Sequence, residues 1–347
     1  MTFNERSRLF AVLNGHEVDR PPCASPLQTG TVELMRSADA YWPRAHNDPK
    51  AMARLSKAAH GCAGIESVRV PFDVTVDASA FGAEIGMATV DRQPAVLNAR
   101  FPILEGLLTV EIPSPRASGR APVMARSVRI LASDRSLKDV PRICGVTGPF
   151  MLVCQLHGVE KTIMEVLKDP DGLRNAVMRV TEWTETFIEE LVSSGAEIIT
   201  LIDATTSGDL LSPEQYRSIA MECHRSIAQK TGSLGAYPIL HVCGDISASL
   251  DLMSSCGFNG ISVDQCMSIS SVKRILRGRA ACIGNIGPVS PLLMNGPPEV
   301  AARTIEAIEN GTDVVAPGCG FAPRTPLSNM LAMVHATIRS AHPSSPM

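Results

Sequence analysis

The chain has 347 residues, a formal net charge of −3 and 45% hydrophobic residues. This is long enough for one large barrel or two ordinary domains, with a sizeable core. The small, balanced charge argues against nucleic acid or an anionic membrane as partner, and no apolar run reaches the roughly 18 residues needed to cross a bilayer. The N-terminus lacks the apolar core of a signal peptide, so a soluble cytoplasmic protein is expected. The ten cysteines are scattered through apolar segments and do not form a secreted disulfide framework; most read as buried thiols.

Asn4 is placed to cap a first helix with Leu9, Phe10, Val12 and Leu13 on its apolar face, ended by Gly15. Short apolar runs then recur at 22–26, 68–72, 143–147, 198–203, 239–243, 260–263, 281–286 and 313–317. Most are apolar at consecutive positions, as in strands buried on both faces. Helical patterns separate them: 49–62 with Asp48 as cap, 160–167, 170–194, 213–231, 246–256, 269–276, 298–310 and 326–341. Alternating strands and helices predict a parallel sheet, and eight such units predict an α/β fold of the closed (β/α)8 TIM barrel type over residues 1–340. Residues 73–140 are too long for a simple crossover. Their alternating stretches, 83–90 and 95–103, predict a hairpin or lid inserted after the second strand. Residues 341–347 read as a disordered tail.

His241-Val242-Cys243 closes one apolar run, and positions two apart in a strand face the same way. The imidazole and the thiol therefore point into one space. Cys319, between Gly318 and Gly320, ends the last run. Both places lie at strand C-termini, where barrel enzymes keep their chemistry. One His and two Cys suit zinc, and three protein ligands leave a fourth position open for catalysis. A lone His-x-Cys is common by chance in a buried strand; the third soft ligand on another strand end is what separates a metal site from packing.

Other strand-end residues are candidates for lining a pocket. Gln28 and Thr29 follow the first run. Arg69, in the second, is a candidate for an anionic substrate group or for a structural ion pair. Asn285 lies at the end of the seventh. Asp203 ends the fourth, either orienting substrate or ligands, or capping a helix. Cys266 is a rival ligand close to Asp264, and His157, His224 and His335 read as surface or capping histidines.

His241-Val242-Cys243-Gly244 together with Ala316-Pro317-Gly318-Cys319-Gly320 resembles the zinc motif of the methylcobamide:coenzyme M methyltransferases, a branch of the uroporphyrinogen decarboxylase superfamily of barrels. The resemblance runs through Gly15-His16-Glu17-Val18-Asp19-Arg20, Gln28-Thr29-Gly30, Trp42-Pro43-Arg44-Ala45-His46, Val68-Arg69-Val70-Pro71, Arg92-Gln93-Pro94 and Pro323-Arg324-Thr325-Pro326. Porphyrin decarboxylases carry an arginine-rich segment after the first strand, where this chain has Ala24-Ser25-Pro26-Leu27-Gln28-Thr29-Gly30. The resemblance implies zinc held by His241, Cys243 and Cys319, with Asp264 as an exchangeable fourth ligand; similar proteins have the longer glutamate there. It implies methyl transfer from methylcobalamin or another methylated corrinoid, carried by a small separate corrinoid protein, to a thiol such as coenzyme M. Homocysteine or tetrahydrofolate as acceptor, a decarboxylase-like lyase and a non-catalytic corrinoid- or metal-binding protein are the alternatives.

Overall fold

The computed structural model of the protein describes residues 3–87 and 89–341; the tail expected from 341 falls, from 342 on, outside the described residues. The first helix, Glu5–Leu13, starts on a capping box in which the Asn4 side chain accepts from the Ser7 N–H and the Ser7 hydroxyl side chain accepts from the Asn4 N–H. The barrel strands follow as β1 (Val68–Val70), then β4 (Arg142–Thr147), β5 (Ile198–Ile202), β6 (Tyr237–Val242), β7 (Gly260–Val263) and β8 (Ala281–Ile283). The short pair β2 (Ile85–Gly86) and β3 (Ala95–Val96) lies between β1 and β4.

The six barrel strands form one parallel sheet in chain order. Two of the eight expected runs are too short in regular pairing to count as strands, yet they close the ring. Bridges join Ile283 to Val314, Ile286 to Pro317 and Val315 to Cys23. The Glu66 N–H then donates to the Cys23 carbonyl at 2.8 Å. The Glu66 carboxylate, 3% exposed, accepts from the Cys23 N–H at 2.7 Å and from both Arg8 and Arg20. This buried acid ties the first run to β1, and removing it would leave the Arg20 guanidinium without an acid partner, while Arg8 keeps Asp19.

Register sorts the side chains by face. In a parallel pair, residues opposite each other point to the same side. Arg69 lies opposite Ile143, Gly145 opposite Thr200, Ile202 opposite His241, and His241 opposite Ser262. Ile143, Ile198, Ile239, Ile283, Val314 and Ala316 form the inner core with Leu9, Val12 and Leu13 of the first helix, which plugs the strand N-terminal end. Each such buried aliphatic side chain contributes about 1.5–3 kcal/mol. The inward face is therefore apolar at one end, and becomes polar through Arg69, Thr200, His241 and Ser262 towards the other. A second, larger core fills the space between sheet and helices.

Residues 73–140 carry more helix than strand, where alternation had suggested strands. β2 and β3 pair antiparallel over only two residues each, and the segment otherwise carries helices Val76–Ala80, Glu105–Thr109 and Ala121–Ser133. The last packs on helix Pro49–Ala63 and serves as the crossover to β4. Its buried Met124, Val128 and Leu131 have helical spacing. The helix expected over 213–231 is two, Pro213–Ile219 and Met221–Ser233. Among the described residues no helix is long and apolar enough to cross a membrane.

Candidate metal centre

β6 delivers His241 and, one residue beyond its end, Cys243 to the same inward face. The loop after the last run brings Cys319 opposite them. His241 Nε2 stands 3.3 Å from Cys243 Sγ, which stands 3.9 Å from Cys319 Sγ. One ligand atom from each of the three lies within 4.8 Å of the others. His241 is fully buried, and its Nδ1 is 3.1 Å from both the carbonyl and the hydroxyl oxygen of Ser262 on β7. A proton on Nδ1 is donated to the Ser262 carbonyl, which leaves the Nε2 lone pair facing the two sulfurs.

The donor set fits zinc. Around a tetrahedral zinc, two sulfurs stand about 3.8 Å apart and a sulfur and a nitrogen about 3.6 Å apart, given bonds of about 2.3 and 2.0–2.1 Å. The two sulfurs are within hydrogen-bonding reach of each other, and either can be the donor. That hydrogen bond and the Gly320 N–H hold Cys319 below the ordinary thiol range against burial. Cys243 is pushed up, by that same hydrogen bond, by burial and by the charge beside it.

Two glycines explain how Cys319 reaches the site. A Cβ on Gly318 would come within 2.6 Å of the Gln265 backbone nitrogen, and one on Gly320 within 2.6 Å of Gln28 Cγ. Only glycine permits these close approaches.

The remaining candidates divide. Asp264 is not among the three residues whose ligand atoms converge; its carboxylate accepts from the Cys266 N–H at 3.0 Å. Its charge still acts on Cys243, as does Cys266. A side chain as short as aspartate folds back on its own turn. Asp203 is not aimed at the cluster. Its carboxylate accepts from the N–H groups of Phe150 and Met151, at the start of helix Pro149–His157, and lies 3.0 Å from His224 Nε2. His224, expected at the surface, is fully buried and its Nδ1 is 3.0 Å from the Tyr216 hydroxyl. His157 is also buried, with Nδ1 2.7 Å from the Phe101 carbonyl.

Gln28 and Asn285 hold backbone. Gln28 donates to the Phe321 carbonyl and accepts from the Gly30 N–H. Asn285 donates to the carbonyls of Asp264 and Met267, at 2.9 and 2.7 Å. Their amide hydrogens brace the loops that carry Cys319 and Asp264. The Thr29 hydroxyl is buried without a partner. Arg69, 1% exposed, makes one hydrogen bond, from Nε to the Pro26 carbonyl at 3.3 Å, and its Nη1 has no partner. Burial pushes its pKa down to about 10, so it stays charged at neutral pH. The structural ion pair is therefore absent among the described residues. Ser262, whose carbonyl and hydroxyl face His241 Nδ1, is the site residue that sequence reading missed; it is betrayed only by register.

The family description "Uroporphyrinogen decarboxylase (URO-D)" matches residues 4–339. The chain is 36% identical over 337 residues to "Methylcobamide:CoM methyltransferase MtaA" of Methanosarcina barkeri, covering 96% of this chain and 97% of that protein. It is 32% identical over 333 residues to "Methylcobamide:CoM methyltransferase MtbA" of Methanosarcina acetivorans, covering 96% and 97%. A solved structure, a methyltransferase from Methanosarcina mazei, superposes with a TM-score of 0.92 at 36% identity over 98% of this chain and 99% of the other. Near-complete coverage of both chains carries the likeness over the whole barrel, and the protein belongs to the corrinoid methyltransferase branch of the uroporphyrinogen decarboxylase superfamily.

Proposed function

We propose that this methyltransferase is zinc-dependent and moves a methyl group from a methylated corrinoid to the sulfur of a small thiol, with coenzyme M as the acceptor. The observation that carries the reading is the convergence of one imidazole nitrogen and two thiols at the open end of the barrel. Two of its relatives carry methylcobamide and CoM in their names. A weak point of the reaction is the nucleophile, since an alkyl thiol is mostly protonated at neutral pH. Zinc, when bound, lowers the pKa of a ligating thiol so that the thiolate is available near pH 7.

This chain's residues set the conditions for that chemistry. His241 offers Nε2, while its Nδ1 lies 3.1 Å from the Ser262 carbonyl, and an imidazole bound through Nε2 adds no charge to a metal. Cys243 and Cys319 as thiolates contribute two negative charges, which cancel those of a divalent cation. A less anionic set would hold the acceptor's electron pair more tightly. Three ligands leave one position for the acceptor sulfur. Asp264, close by but tied to its own turn, supplies negative charge and orients what enters. The corrinoid arrives on a small separate protein. The ten free thiols fit a reducing, cytoplasmic setting.

The test is the absorbance of methylcobalamin with enzyme, zinc and coenzyme M under strict anaerobiosis. Growth of the cob(I)alamin spectrum, abolished by chelation and restored by zinc, is expected. Full turnover in chelator would sink the zinc reading. Turnover only with homocysteine or tetrahydrofolate would replace the acceptor.

A further inference from the structure

His241 and Cys243 reach the metal centre on or next to a strand, and Cys319 reaches it on a loop. β6 is paired in parallel with β5 on one side and β7 on the other, so its two ligands stand where the sheet puts them. The loop of Cys319 has no such frame. Before it, Pro317 forms a single bridge with Ile286, and the Gly318 N–H donates to the Ile286 carbonyl at 2.8 Å. After it, no helix or strand begins before Leu327. A metal ligand on irregular backbone depends on groups outside its own segment to hold it.

Gln28 is such a group. The Phe321 N–H donates to the Gln28 carbonyl at 3.1 Å, and the Gln28 side-chain amide donates back to the Phe321 carbonyl. The two residues close a ring like that of a strand pair, with a side-chain amide in place of one backbone N–H. Gln28 Oε1 accepts from the Gly30 N–H at 2.8 Å, which fixes how the amide is turned. Its Cγ occupies the space that a Cβ on Gly320 would need. Gln28 and Phe321 are both buried. Loss of the amide would leave the Phe321 carbonyl and the Gly30 N–H unpaired away from water. The next hold along the loop is at Pro323, whose carbonyl accepts from the Val32 N–H at 2.8 Å.

We propose that Gln28 is a positioning residue of the metal centre, which sets Cys319 at ligand distance from His241 and Cys243 without touching the metal. The inference rests on the zinc reading above and deepens it. Two ligands are placed by the sheet; the third is placed by one buried amide from the opposite loop. Gln28 acts on the reaction through that third ligand and not through contact with the thiol. A loop already ordered before the metal arrives gives tighter binding than one the metal must order itself.

The experiment measures metal binding to Gln28→Met, which keeps the side-chain length and loses the amide. Zinc affinity, in competition with a chromogenic chelator, falls about 10- to 100-fold, the range for a lost supporting contact. The thiolate-to-cobalt(II) absorption band grows in only at higher cobalt, then reaches the wild-type intensity as the metal draws Cys319 in. At saturating zinc kcat returns, and KM for coenzyme M equals that of the wild type. Gln28→Asn, one methylene short, gives the same result and serves where the methionine variant does not fold. Hydrogen exchange in the zinc-free proteins separates this inference from the zinc reading. Residues 318–325 exchange at least about 10-fold faster in Gln28→Met, while 237–243 are unchanged. Unaltered zinc affinity in both variants overturns the proposal. So does a raised KM at full zinc occupancy, which would place Gln28 on the thiol. A wild type that binds no zinc would sink the zinc reading; faster exchange would still uphold the hold of Gln28 on the Cys319 loop, and equal exchange would remove it.

Discussion

Two buried histidines near the strand C-terminal end have opposite surroundings. His224 is closed: one ring nitrogen meets Asp203, the other meets Tyr216, and the remaining lone pairs of Asp203 are spent on the start of a helix. His241 is open: Ser262 holds one nitrogen, and the other faces two thiols with nothing between them. Both are fully buried. Burial thus says nothing about which histidine does chemistry; what separates them is whether the polar atoms around each are already satisfied.

The sharpest way to break this comparison is to remove a donor from the open cluster. Cys319→Ala is expected to take bound zinc from one per chain to near zero and to cut thiol methylation by more than about 100-fold, beyond what losing a mere supporting residue does. Its metal-free stability should stay within about 1 kcal/mol of the wild-type apoprotein, since one half-buried sulfur is lost. Metal analysis after gel filtration, paired with urea denaturation, reads both. Retained zinc with retained activity would make the cluster ordinary packing.

The closed cluster should respond in the opposite sense. Asp203→Ala leaves His224 and two helix N–H groups without an acceptor, and is expected to cost about 3–5 kcal/mol in urea denaturation with zinc still bound at one per folded chain. Unchanged stability with lost zinc would place Asp203 in the metal centre after all. One link does cross between the clusters, since the Asp203 backbone N–H donates to the His241 carbonyl at 3.0 Å. The alanine variant keeps that bond.

Asp73 offers a third carboxylate of the closed kind, and a pH test. Burial opposes its charge, but paired hydrogen bonds from Arg120, that residue's charge and the nearby His46 hold it well below the usual carboxylate range. A depressed native pKa adds stability that is complete above the unfolded value of about 3.9 and is lost as pH falls through the native one. Asp73→Asn should therefore be less stable than wild type at pH 7. The gap should narrow below about pH 4, in apoprotein denaturation curves that leave zinc out of the balance. A gap constant with pH would mean that folding leaves the Asp73 pKa unchanged.

The barrel was legible because strands buried on both faces are apolar at consecutive positions, and β4 to β8 fall within or beside the runs read from sequence. The convergence of His241 and Cys243 was legible for a related reason: they are two apart in one strand, and alternation needs no knowledge of neighbours. What the sequence left open depends on neighbours. Gln28, Asn285 and Asp203 were read by their donors and acceptors, but the partners that consume those groups lie on other strands or loops. The crossover helix Ala121–Ser133 was hidden because short alternating stretches before it drew the whole segment towards strands. His224 sits on a helix face whose burial depends on Tyr216 and Phe258, with rings at 5.5 and 6.1 Å.

The smallest expected effect tests how finely the open histidine is set. Ser262 offers His241 two acceptors, its hydroxyl and its backbone carbonyl, at the same 3.1 Å. Ser262→Ala removes only the hydroxyl. If the carbonyl alone fixes the Nδ1 tautomer, zinc affinity should fall by less than the roughly 10–100-fold typical of a lost supporting contact, in competition with a chromogenic chelator. Cobalt(II) in place of zinc should give the same ligand-field spectrum in both proteins. A fall of 100-fold or more, with a changed spectrum, would mean that the hydroxyl steers the ring. His241 would then be poised by a side chain as His224 is, and the contrast between open and closed histidines would rest on the facing sulfurs alone.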